Sequence, residues 1–230
     1  MKIIFLNAWQ GQIPQIKDFI LDHIPTTDIF CFQEAGYFNT DIFCQQYLSS
    51  QYQLFTNQKQ LTQKDIMVQA TFVKKNFSVL KTATIGEDID NIGLGLFTQL
   101  KDSKENIFNI GNIHGYPWPG DKQDNSDRIN QSNLIVNFFK DLSGPKIIGG
   151  DFNLDFDIKS TQIFEENGYR SLIKDFKIDN TRNRLSWEQY ENKQHFADHL
   201  FITKDIKVKN FTVPYNEISD HLPLILEIEI

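Results

Sequence analysis

The side chains in this 230-residue chain that are able to do chemistry gather where apolar runs end. Asn7 closes the first such run, and Gln33-Glu34 follows Ile29–Phe32 directly. His114 ends Phe108–Ile113. Asp151-Phe152-Asn153 follows Ile147-Ile148-Gly149-Gly150, Asp198 lies within Phe196-Ala197-Asp198-His199-Leu200, and Asp220-His221 falls between Ile218 and Leu222. Carboxylates and amide oxygens of this kind hold hard divalent cations, and carboxylates and imidazoles move protons. Set among apolar neighbours they are costly unless paired, hydrogen-bonded or bound to a metal. Each has a plainer reading when taken alone: Glu34 as a solvated strand-end carboxylate, Gly149–Asn153 as a turn, His114 as a satisfied buried histidine, Asp198 as a turn cap. Ser219-Asp220-His221-Leu222-Pro223 is hardest to explain that way, because adjacent Asp and His before an apolar strand serve no packing purpose.

The elements that must position these groups follow from hydrophobic periodicity. Residues 2–8 and 28–33 read as buried strands, with a helix over 12–23 between them, where Ile13, Ile16, Phe19, Ile20 and Ile24 recur at helical spacing. Strands apolar on both faces imply a sheet covered on both sides. A second helix is expected over 41–49. Five alternating runs follow, at 52–56, 67–73, 78–85, 94–100 and 107–113, and read as an antiparallel meander. Helices are expected again over 125–140 and 160–167, and strands at 146–149, 197–203, 207–213 and 222–228. No linker or repeat divides the chain, so the expectation is one α/β domain over 1–230, two packed sheets with helices outside.

Composition narrows the partners. With 23 Lys+Arg against 30 Asp+Glu, the net charge of −7 argues against a protein that grips long nucleic acid through a broad basic surface. It leaves open a nuclease whose local site is neutralised by a metal. Two cysteines, Cys31 and Cys44, make no disulfide framework, and Cys31 in Ile29-Phe30-Cys31-Phe32 reads as a buried thiol. The N-terminal apolar run is too short for a signal sequence, and no run is long enough to span a membrane. A soluble, cytoplasmic monomer is the default expectation. Among 30 aromatic residues 20 are Phe, which brings area without a polar handle, so most rings are expected to be packing material.

Taken together and in order, the segments Leu6-Asn7-Ala8-Trp9, Phe32-Gln33-Glu34, Asn112-Ile113-His114-Gly115, Gly149-Gly150-Asp151-Phe152-Asn153, Ala197-Asp198-His199-Leu200-Phe201 and Ser219-Asp220-His221-Leu222-Pro223 resemble the endonuclease/exonuclease/phosphatase superfamily of metal-dependent phosphoesterases. The resemblance implies a four-layer α/β/β/α sandwich of two mixed sheets flanked by helices, and hydrolysis of a phosphate ester. Mg²⁺, with Mn²⁺ as a substitute, is the implied cofactor, held by Glu34, Asn7 and Asp220. Asp151 is expected to orient and deprotonate the attacking water, and Asn153 to hydrogen-bond the phosphate or Asp151. His221 is expected to stabilise the transition state or shuttle a proton, with Asp198 fixing its tautomer and favouring its charged form. The family resemblance makes His114 a second acid in contact with phosphate. His199, where many relatives carry an aromatic after the aspartate, departs from the family pattern. His23, His195 and His199 read as surface or structural.

The resemblance does not select a substrate. A phosphodiester, as in a nuclease or related phosphodiesterase acting on nucleic acid or nucleotide, is the leading expectation. The alternatives are a phosphomonoesterase acting on a small metabolite or lipid head group, and an inactive relative that only binds. Two segments bear on the choice. The turn-rich stretch 115–128 offers Tyr116 and Trp118 for stacking and Arg128 for a phosphate. The stretch 174–184 collects Lys174, Lys177, Arg182 and Arg184, which reads either as a solvated loop or as a phosphate-binding lip, with Arg182 the candidate contact.

Overall fold

The computed structural model describes residues 1–36, 47–188 and 193–229. The first two apolar runs become β1 (Lys2–Asn7) and β2 (Ile29–Gln33), paired in parallel with Ile3 beside Ile29 and Asn7 beside Gln33. The helix between them, α1 (Ile16–His23), starts later than its periodicity implied, because Trp9–Gly11 forms a 3-10 turn and Pro14 sits in the turn before it. Most of the helix expected over 41–49, with Cys44, lies outside the described residues; the short α2 (Ser49–Gln51) follows. The chain continues through β3 (Tyr52–Gln60), β4 (Ile66–Lys74), β5 (Ser78–Ile85), β6 (Leu94–Lys101), β7 (Ile107–His114), α3 (Ser126–Phe139), β8 (Lys146–Asp151) and α4 (Lys159–Glu166). It ends with β9 (Tyr169–Ser171), α5 (Leu172–Asp175), β10 (Asp198–Thr203), β11 (Val208–Thr212) and β12 (Leu224–Ile228).

Two six-stranded mixed sheets result, ordered β11-β12-β1-β2-β4-β3 and β5-β6-β7-β8-β10-β9. Their packing face to face, with helices outside, is the expected four-layer sandwich. The single meander expected from 52 to 113 is corrected. β3 and β4 complete the first sheet, and β5 to β7 open the second. Alternation marks which faces of a strand are buried and does not mark which sheet a strand joins. The short β9 and α5 carried too few residues to show a period.

Side-chain alternation explains why β1 is apolar throughout. Ile3 and Phe5 point between the sheets, with Cys31, Leu100, Ile110, Ile147 and Leu200. Ile4 and Leu6 point outward under α1, against Ile16, Ile20 and Phe30. The outer face of the second sheet is covered by α3 and α4 through Ile135, Phe139 and Phe164. The phenylalanine excess is largely used here: Phe164 stacks on Phe201 at 4.1 Å, and Phe152 meets both edge-on at 5.5 Å.

A buried polar network ties the sheets together beneath the site. Gln33 Nε2 donates to Asn112 Oδ1 at 2.6 Å, Gln69 Nε2 to the Asn112 carbonyl at 2.8 Å, and Asn112 Nδ2 to the carbonyls of Phe32 and Ala70 at 3.2 Å. Such a network fixes one relative placement of the two sheets, because sliding either one would orphan buried donors. No helix among the described residues is long and apolar enough to cross a membrane.

Candidate active site

Strand register does the first part of the assembly. β7 and β8 are parallel with His114 beside Asp151, and β8 and β10 are antiparallel with Asp151 beside Asp198. His114, Asp151 and Asp198 therefore stand in one row across the second sheet. Gly150 is required by this arrangement: at φ +132°, a Cβ would lie 2.2 Å from the Ile113 carbonyl and 2.8 Å from Gln33 Nε2. Gly115 has the same need, since a Cβ there would sit 1.9 Å from the Phe152 carbonyl. From the first sheet come Asn7 and Glu34, at the ends of β1 and β2. The 219–221 turn adds Asp220 and His221, pinned by Ser219 Oγ donating to the Asn7 carbonyl at 2.7 Å.

Asp151 is the hub. Its Oδ1 accepts the Asn153 backbone N–H at 2.9 Å, and its Oδ2 accepts Asn7 Nδ2 at 2.9 Å. The same Oδ2 lies 3.7 Å from His114 Nε2 and 3.7 Å from His221 Nε2. Burial alone would raise this carboxyl, but His221, His114 and Lys122 outweigh it and hold Asp151 well below the usual carboxylate range. His221 Nδ1 donates to Asp198, whose oxygens lie 3.0 and 2.9 Å away. Burial would lower this imidazole, yet Asp198, Asp220 and Asp151 raise it to about 9. Asp198 is itself raised, chiefly by burial. The pair titrates as one unit, and with both carboxylate oxygens on Nδ1 the ring carries the proton. His114 faces opposite circumstances: burial lowers it, so at neutral pH it is a neutral imidazole. Its Nε2 faces Asp151 at 3.7 Å, at the edge of the cleft.

The remaining candidates separate clearly. Asn153 lines the cleft, with its Nδ2 donating to the Gly115 carbonyl at 3.0 Å. Trp118 is 40% exposed on the rim, and Arg182 lines the cleft, its backbone paired with His221 in an isolated antiparallel bridge. Tyr116 stands behind Trp118, edge-on at 5.4 Å, with its hydroxyl donating to Asn91 Oδ1 at 3.1 Å. Arg128 is a correction. It is 1% exposed, and its guanidinium donates to Asp121 Oδ1 at 2.7 Å and to the carbonyls of Gln123 and Pro119. It anchors the 115–125 loop from within and does not line the cleft. In the 174–184 stretch, Lys174 is bound by Asp157 and Glu165, and Arg184 by Glu217 and Glu188; of the remaining Lys177 and Arg182, Arg182 alone lines the cleft.

Sequence reasoning missed three positions. Lys122, only 6% exposed, donates to Asn153 Oδ1 at 2.6 Å and lines the cleft. Its burial lowers its pKa against the pull of Asp151. A lone lysine in a turn-rich stretch looks like any solvated charge, so no signal marked it. Thr181 Oγ1 accepts the Asp198 N–H at 3.1 Å, and Asn183 Nδ2 donates to the Ser219 carbonyl at 2.6 Å; together they position the dyad's two ends. Five of the nine non-glycine residues at positive φ among the described residues line the cleft: Trp9, Gln10, Glu34, Lys122 and Asn153. Strain of this kind persists where surrounding structure over-determines it, and it concentrates at functional sites.

The cleft has a volume of about 530 Å³. Its polar lining includes Glu34, His114, Lys122, Asp151, Asp220 and His221, with Lys64 and Asp65 at one edge, and Trp9, Leu61, Ile66, Met67, Pro117 and Trp118 are among its apolar walls. The donor chemistry fits a hard divalent cation, since Glu34 and Asp220 are oxygen donors open to this cleft. Asn7 is buried at the end of β1, beside Glu34 and Asp151. Its Oδ1 accepts the Trp9 N–H at 3.0 Å while its Nδ2 bridges Glu34 at 3.0 Å and Asp151 at 2.9 Å, so it orients two carboxylates. Asp151, Asp198 and His221 also bring ligand atoms within 4.8 Å of one another. That triad meets the distance requirement for a metal, with His221 Nδ1 already hydrogen-bonded to Asp198 and Nε2 facing Asp151 at 3.7 Å.

Fold and site together define a hydrolase-type phosphoesterase centre with a candidate metal site. The Endonuclease/Exonuclease/phosphatase family model matches residues 6–221, and the chain belongs to that family. No curated protein shows significant sequence similarity to it. Among solved structures, an endonuclease/exonuclease/phosphatase from Bacteroides vulgatus superposes with a TM-score of 0.78 at 20% identity, over 100% of this chain and 98% of that one. The human Nocturnin catalytic domain with bound sulfate gives 0.74 at 19%, over 100% and 93%. A mannosyl-6-phosphatase from Bacteroides thetaiotaomicron gives 0.69 at 17%, over 100% of both chains.

Proposed function

We propose that the protein is a divalent-metal-dependent phosphoesterase that hydrolyses a phosphodiester by attack of water on phosphorus. The observation that carries this reading is the buried Asp151 carboxylate, whose Oδ2 lies 3.7 Å from both His114 Nε2 and His221 Nε2 and accepts Asn7 Nδ2 at 2.9 Å. With a low pKa, Asp151 is a weak base. It acts by accepting a hydrogen bond from the attacking water and aligning it, and it takes the proton only as the water's acidity rises in the transition state. His221, protonated and backed by Asp198, donates to the phosphoryl or leaving oxygen as charge builds there. His114 contributes a neutral imidazole beside the same carboxylate. Asn7 holds Glu34 and Asp151 in register.

Mg²⁺, or Mn²⁺ in its place, would be held by Glu34 and Asp220 and would supply Lewis-acid stabilisation of the phosphoryl oxygens. A cation bound at Asp220 offsets part of the carboxylate field on His221, so that ring titrates lower in the loaded enzyme. A cleft of about 530 Å³ is the size of a small-molecule site. Together with the net charge of −7, it favours a nucleotide-sized ester or a chain end over the grip of long duplex. Trp118 on the rim offers a face for a base or sugar ring.

A panel of phosphodiesters and phosphomonoesters, assayed with Mg²⁺, Mn²⁺ and chelator on wild type and Asp151→Asn, tests this. Metal-dependent diester cleavage, lost with chelator and reduced at least 100-fold in Asp151→Asn, is the expected outcome. Absence of turnover with every substrate and metal removes the reading. Turnover of monoesters alone moves the assignment to a phosphomonoesterase, the reading favoured by the two cations, Lys122 and Arg182, on the cleft floor.

A further inference from the structure

Lys122 lies between the motifs, on the 115–125 loop, and nothing in the family pattern discussed above assigns it a role. An ammonium carries three donors. Among the described residues, the Nζ of this buried lysine makes one hydrogen bond, to Asn153 Oδ1 at 2.6 Å. Its backbone is at φ +60°, a conformation unfavourable for a lysine, so the fold holds it in the cleft at some cost. Arg182 approaches from the loop before β10 with its side chain 12% exposed. One Nη donates to Gln194 Oε1 at 3.3 Å, and the other comes no nearer than 3.7 Å to Asp220. Two largely buried cations, on separate loops, thus face one cleft with donors unspent. Buried donors without acceptors are uncommon and call for a ligand that completes them.

We infer that Lys122, together with Arg182, is a preformed anion clamp that donates to the non-bridging oxygens of the substrate's phosphate group while Lys122 also fixes Asn153. The anchoring of the loop supports this. Arg128 secures the 115–125 segment from within the protein, so the ammonium is carried on a braced loop rather than a solvated one. A structural counter-charge for Asp151 would require an ammonium near that carboxylate but no spare donors facing the cleft. Charge-assisted N–H···O⁻ bonds from two fixed cations give an anion affinity that does not need a metal.

This inference rests on reading the cleft as a phosphate-ester site, and its test is separable from that reading. Inorganic phosphate is titrated by calorimetry into the full chain in excess chelator at constant ionic strength, for wild type, Lys122→Met, Lys122→Arg, Arg182→Gln and Asp151→Asn. Wild type is expected to bind phosphate. Lys122→Met and Arg182→Gln should each weaken binding at least 10-fold, Lys122→Arg should recover most of the loss, and Asp151→Asn, which removes a neighbouring negative charge, should tighten binding several-fold. Thermal unfolding without phosphate checks that each variant is folded; Met in place of a buried charge is sterically conservative. In parallel, Lys122→Met should raise KM for any hydrolysed ester by a similar factor. The clamp is refuted if wild type binds no phosphate, or if folded Lys122→Met binds it as wild type does, including the case where kcat alone falls. If phosphate binding depends on Lys122 but no ester is hydrolysed, the clamp stands and the proposed activity does not.

Discussion

Replacing Asp198 by Asn alters one charge in the site while nearly preserving its shape. Both oxygens of Asp198 face His221 Nδ1 at about 3 Å, and the two groups are fully buried. The carboxylates around His221 raise it from 6.5 to about 9, which corresponds to about 3 kcal/mol favouring the imidazolium. At pH 7.5 a ring of pKa about 9 is roughly 97% protonated. Without Asp198, the largest of those raising influences, burial weighs more heavily and the ring's pKa falls, so the charged fraction at that pH drops. Loss of the charged donor and of its orientation should lower kcat/KM by on the order of 10²–10⁴. The alkaline limb of the activity profile should also move to lower pH. Histidine side-chain NMR on metal-free protein reads the pKa directly, and initial rates from pH 5.5 to 9.5 with saturating Mg²⁺ read its consequence. An unchanged His221 titration in a folded Asp198→Asn variant, or a pH profile superimposable on wild type, would refute the assignment of His221 as the buried imidazolium.

Three further outcomes follow from the packing. Gly150→Ala places a Cβ 2.2 Å from a backbone carbonyl at a φ that L-residues avoid, so chemical denaturation should show a loss of about 3 kcal/mol or more. Arg128→Met removes the buried anchor of the 115–125 loop. It should cost about 2–4 kcal/mol, with proteolytic nicking of that loop before global unfolding, whereas wild-type resistance at the loop would contradict the anchoring role. His199 is buried, donates Nε2–H to the Leu154 carbonyl at 2.9 Å, and is lowered to about 4. The unfolded chain therefore binds the proton first, and His199 stabilises the fold fully above pH 6.5 and progressively less as pH falls to 4. By pH 5 the loss from this residue is about 2 kcal/mol. His199→Gln should flatten that part of the stability–pH curve, and an equally steep curve in the variant would assign the effect elsewhere.

The legible part of the site was local. Asp151, Asn153, Asp198, Asp220 and His221 announced themselves because polar groups at the ends of apolar strands carry a desolvation cost that packing does not explain. Trp118 and Arg182 were recognisable as residue types that reach substrates. Arg128 was recognisable too, but its type does not say whether it faces a ligand or a loop. Lys122 was invisible, since a single exposed-looking lysine and a buried one have the same local sequence.

The chain by itself determined which segments are strands apolar on both faces, that two sheets had to be covered by helices, and which side chains end those strands. These are consequences of period and desolvation, which act over a few residues. Only the tertiary structure decided that β4 and β5 belong to different sheets, that register sets His114, Asp151 and Asp198 in one row, and that two similar histidines are shifted in opposite directions. Those outcomes depend on burial and on charges brought from separate strands and turns, such as Asp151 and Asp198 around His221. Electrostatic energy is set by distance and dielectric in space, and a sequence specifies neither until it is folded.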